Sequence, residues 1–450
     1  MLISFSVENF RSFSEEQTLS LVASSRLGEQ HLHHTVDVSS SNEKILKTAV
    51  LYGANGSGKS SLCLALDFMK KMVLFPSEKS NGISRKYFKV NGKDKDTTFD
   101  IIFLANDKIY RYGFIINNDY VKEEWLVNIN KNREKILFER HIDAKGIISF
   151  SKLPTSKKVK LLAEIGGRVN QTFLCAIKST ISSNKDYGAD INNVINWFSE
   201  TLKIIFPGDF ITSVGFLLNN NEKFLSFSSS FLKNSSTGID HLIVSKNKLE
   251  IDNNKNILSN KLFQQIYEDL QKSDSNRVSI QSTNGRELVF EKDENGDICA
   301  LNVQAFHEIE NNRSFLLDID DESDGTRRLL QLIPALHNDE EQNRVYIIDE
   351  IDRSMHPLLV WSFLQFFLNL SGNNQLIVTT HESNLLDLEL LRRDEIWFVE
   401  KNNTSLSSEL YPLTDFKVRT DLEIRKHYLQ GRFGAIPFLG NINRLADSEG

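Results

Sequence analysis

Apolar and polar positions alternate from the first residues of the chain, with Ile3, Phe5 and Val7 set against Ser4, Ser6 and Glu8, a period of two that predicts a strand. The alternation returns between Thr97 and Lys152 in TTFDIIFL, KIYRYGFII, EEWLVNI, KILFER and GIISFS. Polar turns at Asn106-Asp107 and Asn117-Asn118 divide these runs, so an antiparallel meander is expected. From about residue 156 to about residue 273 the periods lengthen, as in WFSETLKIIF and KLFQQIYEDLQK, with Ser/Asn-rich linkers such as FSSSFLKNSSTG between them. A helical insertion is predicted there. Two Asn-Gly pairs, Asn284-Gly285 and Asn295-Gly296, then suggest a hairpin. Three short apolar runs, Thr48–Tyr52, RVYIID and QLIVTT, suit strands covered on both faces, and Leu62 to Val73 reads as a helix. The expected class is α/β, divided into an N-terminal lobe over 1–155, the helical insertion over 156–273 and a C-terminal lobe over 274–450.

Composition narrows the setting. The chain has ordinary apolar and charged fractions at a length suited to two or three domains. No run of about eighteen apolar residues is present, which argues against a membrane span or an export signal. Cys63, Cys175 and Cys299 are odd in number and far apart, without disulfide or zinc spacing, and a reducing cytoplasm is expected. A net charge of −7 argues against nonspecific coating of nucleic acid and leaves a local basic groove possible.

The string GANGSGKS, Gly53 to Ser60, lies between the strand-like Thr48–Tyr52 and the helix-like segment after it. Gly53, Gly56 and Gly58 let backbone N–H groups close around phosphate oxygens, and the helix directs its positive dipole end at the same anion. Lys59 supplies a cation for the β and γ phosphates, and the Ser60 hydroxyl is suited to Mg²⁺. VYIIDE ends in Asp349, suited to holding Mg²⁺, and Glu350, suited to polarising an attacking water. His381 follows the run QLIVTT, where an imidazole can donate to a γ-phosphate oxygen. In ESDGTRRLLQLIPAL, Ser323 and Gly325 precede an amphipathic helix and form a second anion-binding feature. One site with its own phosphate loop does not need it. If Ser323 and Gly325 complete the site of another copy, the nucleotide joins two subunits.

Taken in order, GANGSGKS, ESDGT, VYIIDE, IDRSMHP and TTH resemble the Walker A, signature, Walker B, D-loop and switch histidine of ABC-type ATPases. The opening ISFSVENFRSF is similar to the first strand and turn of the RecF, SMC and OLD branch. YRYGF, SDGTRRLL and YLQGRFGAIPF resemble prokaryotic AAA-type ATPases of abortive-infection and antiphage-defence systems, among them the Septu/retron, PARIS and AbiL-type ATPase subunits. The resemblance implies a P-loop NTPase of ABC-ATPase type with an antiparallel β subdomain. It assigns ATP binding to Gly53, Ala54, Asn55, Gly56, Ser57, Gly58, Lys59, Ser60 and Ser61, and places Asn9 and Arg11 near the nucleotide. It makes Ser60 and Asp349 the Mg²⁺ residues, Glu350 the general base, His381 the γ-phosphate sensor and Ser323 with Gly325 the elements acting across a dimer. Lys59, Glu350 and His381 are its catalytic set. SDGT stands where transporters carry LSGGQ, and no Q-loop glutamine is identified between Phe88 and Phe103.

Other features have plainer readings. HLHH brings His31, His33 and His34 together without an acidic or Cys ligand beside them, so a surface loop is expected. Asp318, Asp320, Asp321 and Glu322 read as a solvated strand edge or helix N-terminal charge rather than a two-metal centre. GRFGAIP, Gly431 to Pro437, suits a fixed turn displaying Arg432 and Phe433, either as a docking element or as structure alone.

The leading functional expectation is a cytoplasmic ATPase that works as an ATP-gated homodimer or higher oligomer and controls a separate effector, a nuclease or toxin, in antiphage defence. About 70 residues follow His381, fewer than an appended nuclease domain needs, which favours the separate chain. The alternative is a RecF/SMC-like DNA-repair or DNA-clamping ATPase. It would need a basic surface, and SMC action would need a long coiled coil, which the sequence lacks. A transporter's nucleotide-binding subunit ranks last, because Lys59 and Asp349 lie much farther apart than in such subunits.

Overall fold

A computed structural model describes the chain except residues 29, 78–81, 131–132, 182, 210–211, 249–265, 269, 271–276, 282–286, 294, 310–312, 338–342, 418–422 and 437–450. The Asn284-Gly285 turn, most of KLFQQIYEDLQK and Pro437 lie outside the described residues. Two compact units divide the chain. The first comprises Met1–Phe206, Asn338–Asp352 and Trp361–Gly450, and the second comprises Pro207–His337 and Arg353–Val360.

The first unit is built on two sheets. The expected meander is present as Thr97–Ala105, Lys108–Ile116, Val121–Asn130, Arg133–Ile142 and Ile148–Lys152, each antiparallel to the next. Leu2–Glu8 and Gln17–Ser20 extend it to seven strands. Asn106 and Asp107 take positive φ of 47° and 58°, the paired left-handed geometry that matches a two-residue hairpin to strand twist. The second sheet has the order Leu202–Ile205, Val345–Ile348, Gln375–Thr380, Thr48–Tyr52, Ile396–Lys401 and Ser408–Pro412. Its pairs are parallel except the last. Thr48–Tyr52, Val345–Ile348 and Gln375–Thr380 are buried at every position, which is why they read as continuous apolar runs.

One core joins the two sheets around the helix Lys59–Leu74, with Leu66, Met69 and Val73 among Phe5, Phe99 and Tyr112 of one sheet and Leu51, Ile347 and Ile377 of the other. Phe68 stacks on Phe99 at 5.3 Å. Gln375, fully buried, fixes the sheets together through its amide. It accepts from Leu2 N at 2.7 Å and donates to Leu2 O at 2.9 Å and Leu46 O at 2.8 Å.

Two parts of the predicted insertion differ from the reading. Residues 156–206 belong to the first unit, because Val159, Phe173, Ile177, Val194 and Trp197 are buried in its core. WFSETLKIIF is not one helix: Trp197–Thr201 forms a π-turn and Leu202–Ile205 is a strand parallel to Val345–Ile348. A short apolar run suits either state until a sheet edge is available to pair with it.

In the second unit, a sheet carries His241–Lys248, Ile298–Ile309, Glu287–Lys292 and Arg277–Gln281 in that order, with Arg313–Asp318 also paired to Ile298–Ile309. The unit is therefore mixed rather than helical. FSSSFLKNSSTG is a linker only at its end, since Glu222–Asn234 is a helix that buries Phe224, Ser228, Ser229 and Leu232. Asn221 caps it by accepting from Phe224 N at 2.9 Å. Asn295-Gly296 lies in the turn between Glu287–Lys292 and Ile298–Ile309, with Gly296 at φ 85°.

Candidate functional site

The loop Gly53 to Ser60 joins the strand Thr48–Tyr52 to the helix Lys59–Leu74. Its glycines are required by space and by angle. A Cβ on Gly53 would lie 2.3 Å from Val399 O, and Gly58 has φ 114° with the Ser408 and Ser12 hydroxyls in the way of a side chain. Gly58 is the N-cap and offers no side-chain cap, which leaves first-turn amides available to an anion. Ser12 Oγ donates to Ser61 Oγ at 2.9 Å and Ser12 O accepts from Ser408 N at 2.8 Å, so Ser61 anchors the loop from behind. Ser57 Oγ is buried without a hydrogen-bond partner.

Lys59 is 5% exposed, and its ammonium donates to Gly53 O at 2.7 Å and Ala54 O at 3.2 Å. Burial pushes its pKa down to about 8, against the raising pull of Asp349, Asp352 and Glu350. It is still charged at neutral pH. His381 Nδ1 lies 3.4 Å from Lys59 Nζ. Burial, then the Lys59 charge, hold the imidazole below its ordinary range. Asp352 anchors the His381 segment by accepting from Thr380 Oγ1 at 2.7 Å and His381 N at 3.3 Å.

Asp349, 4% exposed, accepts from Ser60 Oγ at 3.1 Å and Thr379 Oγ1 at 2.6 Å. Thr379 Oγ1 in turn accepts from Glu350 N at 2.8 Å, and Thr379 O accepts from Ile351 N at 3.0 Å. One threonine thus holds both acidic positions. Glu350 has φ 49°, an uncommon angle for a residue with a Cβ, and sits where the chain leaves its strand. Sequence reasoning missed Thr379, although the TTH string carried its signal. Thr379→Val keeps the shape and removes both hydrogen bonds. We expect ATP turnover to fall about 10–100-fold, the usual effect of losing a group that orients a metal ligand, with nucleotide affinity little changed. Steady-state phosphate release and nucleotide titration measure the two quantities.

The residues fit a nucleotide with a divalent ion. Gly53 and Gly58 pack the loop where a Cβ would collide with Val399 O and the Ser408 and Ser12 hydroxyls, a buried ammonium borders the uncapped helix start, and the oxygens of Ser60 and Asp349 are hard donors of the type Mg²⁺ takes.

Asn9 has a local structural task. It is 1% exposed and its amide donates to Gly92 O, Lys95 O and Asp96 O at 2.8 to 3.0 Å while accepting from Phe88 N at 3.1 Å. Through those bonds Asn9 shapes the segment 88–96. Asn9→Ala removes the side-chain partner of Phe88 N and Asp96 O, at about 1–3 kcal/mol for each buried group left unpaired. A melting temperature lowered by several degrees is expected in calorimetry. Arg11 is exposed at φ 51°, with its backbone N–H bonded to Lys86 O.

In the second unit, Ser323 caps the helix Asp324–Leu332 by accepting from Thr326 N at 3.2 Å. A Cβ on Gly325 would lie 2.7 Å from Ser354 O, so the glycine permits close approach to the D-loop backbone. Asp318 accepts from Gln304 and Asn302, and Glu322 pairs with His307 at 2.7 Å, which gives these two acids structural partners.

Two plainer readings are corrected. Phe433 is not displayed: it is 1% exposed and stacks on Phe398 at 5.8 Å, while Phe433 O accepts from Tyr411 Oη at 2.8 Å. GRFGAIP is anchored by its aromatic residue as far as it is described. The HLHH segment is not simply a surface loop either. His34 is 2% exposed and its Nδ1 lies 3.1 Å from both carboxylate oxygens of Glu395, which the chain delivers from 361 positions away.

A parallel sheet with a glycine-rich loop opening into a helix, and two acids and a histidine at neighbouring strand ends, defines an α/β P-loop nucleotide-binding domain. The chain belongs to the family described as AAA domain, putative AbiEii toxin, Type IV TA system, whose model matches residues 49–155 and 216–387. It is 24% identical over 371 residues to the retron Vc95 probable ATPase of Vibrio cholerae serotype O1 biovar El Tor, covering 77% of this chain and 67% of the relative. Among solved structures, the SMC head domain from Thermotoga maritima aligns with a TM-score of 0.37 at 11% identity, covering 91% of this chain and 98% of the other. An SMC head bound to the C-terminal winged-helix domain of ScpA aligns with a TM-score of 0.38 at 14% identity, covering 91% and 97%. Likeness at that level is loose, and the site rests on its own geometry. No helix among the described residues is long and apolar enough to cross a membrane.

Proposed function

We propose that this chain is a Mg²⁺-dependent ATPase whose ATP-bound form is a dimer, or a higher oligomer of such dimers, that controls a separate effector in defence against phage. The observation that carries the reading is the convergence of Lys59, Ser60, Asp349 and His381 through contacts of 3.4 Å or less, next to Glu350 held by Thr379. Lys59 and the loop amides hold the β and γ phosphates. Ser60 and Asp349 hold Mg²⁺, which when bound neutralises charge developing on the phosphate oxygens. Glu350 takes the proton of the attacking water. His381, kept neutral by burial and by Lys59, donates to the γ-phosphate and carries its presence to the loop that follows.

Ser323 and Gly325 act on the nucleotide of a second copy, so binding closes a dimer and hydrolysis releases it. The family description and the retron relative support a role in defence, and the effector is a nuclease or toxin on another chain. The cytoplasm is the expected compartment, and nucleic acid is a further possible partner of the assembled form. Shared sites are tested by mixing Lys59→Ala with Ser323→Arg, each inactive alone. The mixed dimer contains one site with both halves intact, so activity returns on mixing. No recovery at any ratio contradicts the shared site.

A further inference from the structure

Away from the nucleotide loop, the segment His31 to His34 gathers three imidazoles. One ring nitrogen from each of His31, His33 and His34 lies within 4.8 Å of the others. His31 takes φ 48°, which folds its ring back onto that of His34, with centroids 4.8 Å apart, while the His33 ring meets His34 edge-on at 4.3 Å. The rings also have distinct hydrogen-bonding duties. His34 Nδ1 is committed to the buried carboxyl group of Glu395, which leaves Nε2. His31 Nε2 bonds Leu388 O at 2.9 Å, which leaves Nδ1. A carboxyl group behind a histidine is the arrangement that fixes a metal-binding ring in one tautomer and orientation. His33 is exposed and His31 half-buried, so an ion can enter from solvent.

The geometry points to a zinc site formed by His31, His33 and His34, with Glu395 orienting His34. Three nitrogen ligands and a fourth position for water suit zinc and exclude Mg²⁺ or Ca²⁺, which require oxygen donors. Tetrahedral zinc with bonds of about 2.0–2.1 Å needs ligand nitrogens about 3.3 Å apart and in the plane of each ring, so binding turns half-buried His31 out of its stack on His34 and brings exposed His33 in. The site ties three segments to the nucleotide-binding sheet. Lys47 N donates to His34 O at 2.7 Å just before Thr48–Tyr52, His31 reaches Leu388 after the His381 loop, and Glu395 immediately precedes Ile396–Lys401. Zinc acts there as a clip.

The test uses the full chain without a histidine tag, titrated with Zn²⁺ against a competing chromophoric chelator and, separately, with Co²⁺ followed by visible absorption. One ion per chain and the intense bands of tetrahedral cobalt are expected. His33→Ala, which removes an exposed side chain, lowers Zn²⁺ affinity at least about tenfold and abolishes the cobalt bands. Unchanged circular dichroism and unchanged nucleotide affinity show that this variant is folded. His31→Ala gives the same loss. Absence of zinc binding in the wild-type chain, or wild-type affinity in His33→Ala, overturns the assignment; the latter includes binding at Ser60 and Asp349.

Discussion

Lys59→Ala loses nucleotide binding, with ATP affinity reduced a hundredfold or more. The ammonium borders the glycine cradle and is paired only with Gly53 O, Ala54 O and the weakly placed His381 ring among the described contacts. Phosphate oxygens place opposite charge directly against the ammonium, whose carboxylate neighbours Asp349, Asp352 and Glu350 act on it without a direct ion pair among the described contacts. Removing one member of a desolvated, charge-assisted pair costs about 2–5 kcal/mol, which converts to roughly 30-fold or more in affinity, and Lys59 serves two phosphates. The same variant remains folded. Burial disfavours the charged form and pushes its pKa down to about 8, so deleting the ammonium relieves a desolvation cost that offsets the loss of its bonds to the buried Gly53 O and half-buried Ala54 O. Fluorescent-nucleotide titration and a melting curve on one sample separate the effects. Undiminished affinity refutes the phosphate-loop assignment.

Glu350→Gln binds ATP as the wild type does and turns it over about 10²–10⁴-fold more slowly, the range that loss of a general base produces. The substitution preserves size and leaves intact the backbone N–H bond to Thr379 that sets the residue's position. Affinity is retained because Ser60, Asp349 and the loop amides are untouched. Single-turnover hydrolysis is the suitable measurement, since it isolates the chemical step from product release. Wild-type rates would mean that another group activates the water. Thr379→Val, by contrast, leaves Glu350 in the chain and disturbs its setting, so its smaller loss separates positioning from proton transfer.

The site was legible where chemistry is local in sequence. Gly53 to Ser60 and the strand that delivers Asp349 and Glu350 declare themselves because a phosphate cradle and a strand-end acid each occupy a few consecutive residues. The meander was legible for the same reason, since period-two alternation with polar turns is set between near neighbours. What was hidden depends on distant pairing. LKII becomes a strand only because Val345–Ile348 lies beside it, and Glu395 meets His34 only because the fold returns there. The structural task of Asn9 was hidden too, because its amide partners lie in the distant segment 88–96. Phe433 looked exposed because no local pattern announces the ring of Phe398.

In the function proposed above, ATP converts the chain from one assembly state to another. Sedimentation velocity of Glu350→Gln tests it directly, because that variant retains ATP without consuming it. Monomer is expected without nucleotide, dimer or larger species with ATP and Mg²⁺, and monomer again when Ser323→Arg is added to the same chain. A sedimentation coefficient that ATP leaves unchanged, at protein concentrations well above the nucleotide dissociation constant, contradicts it.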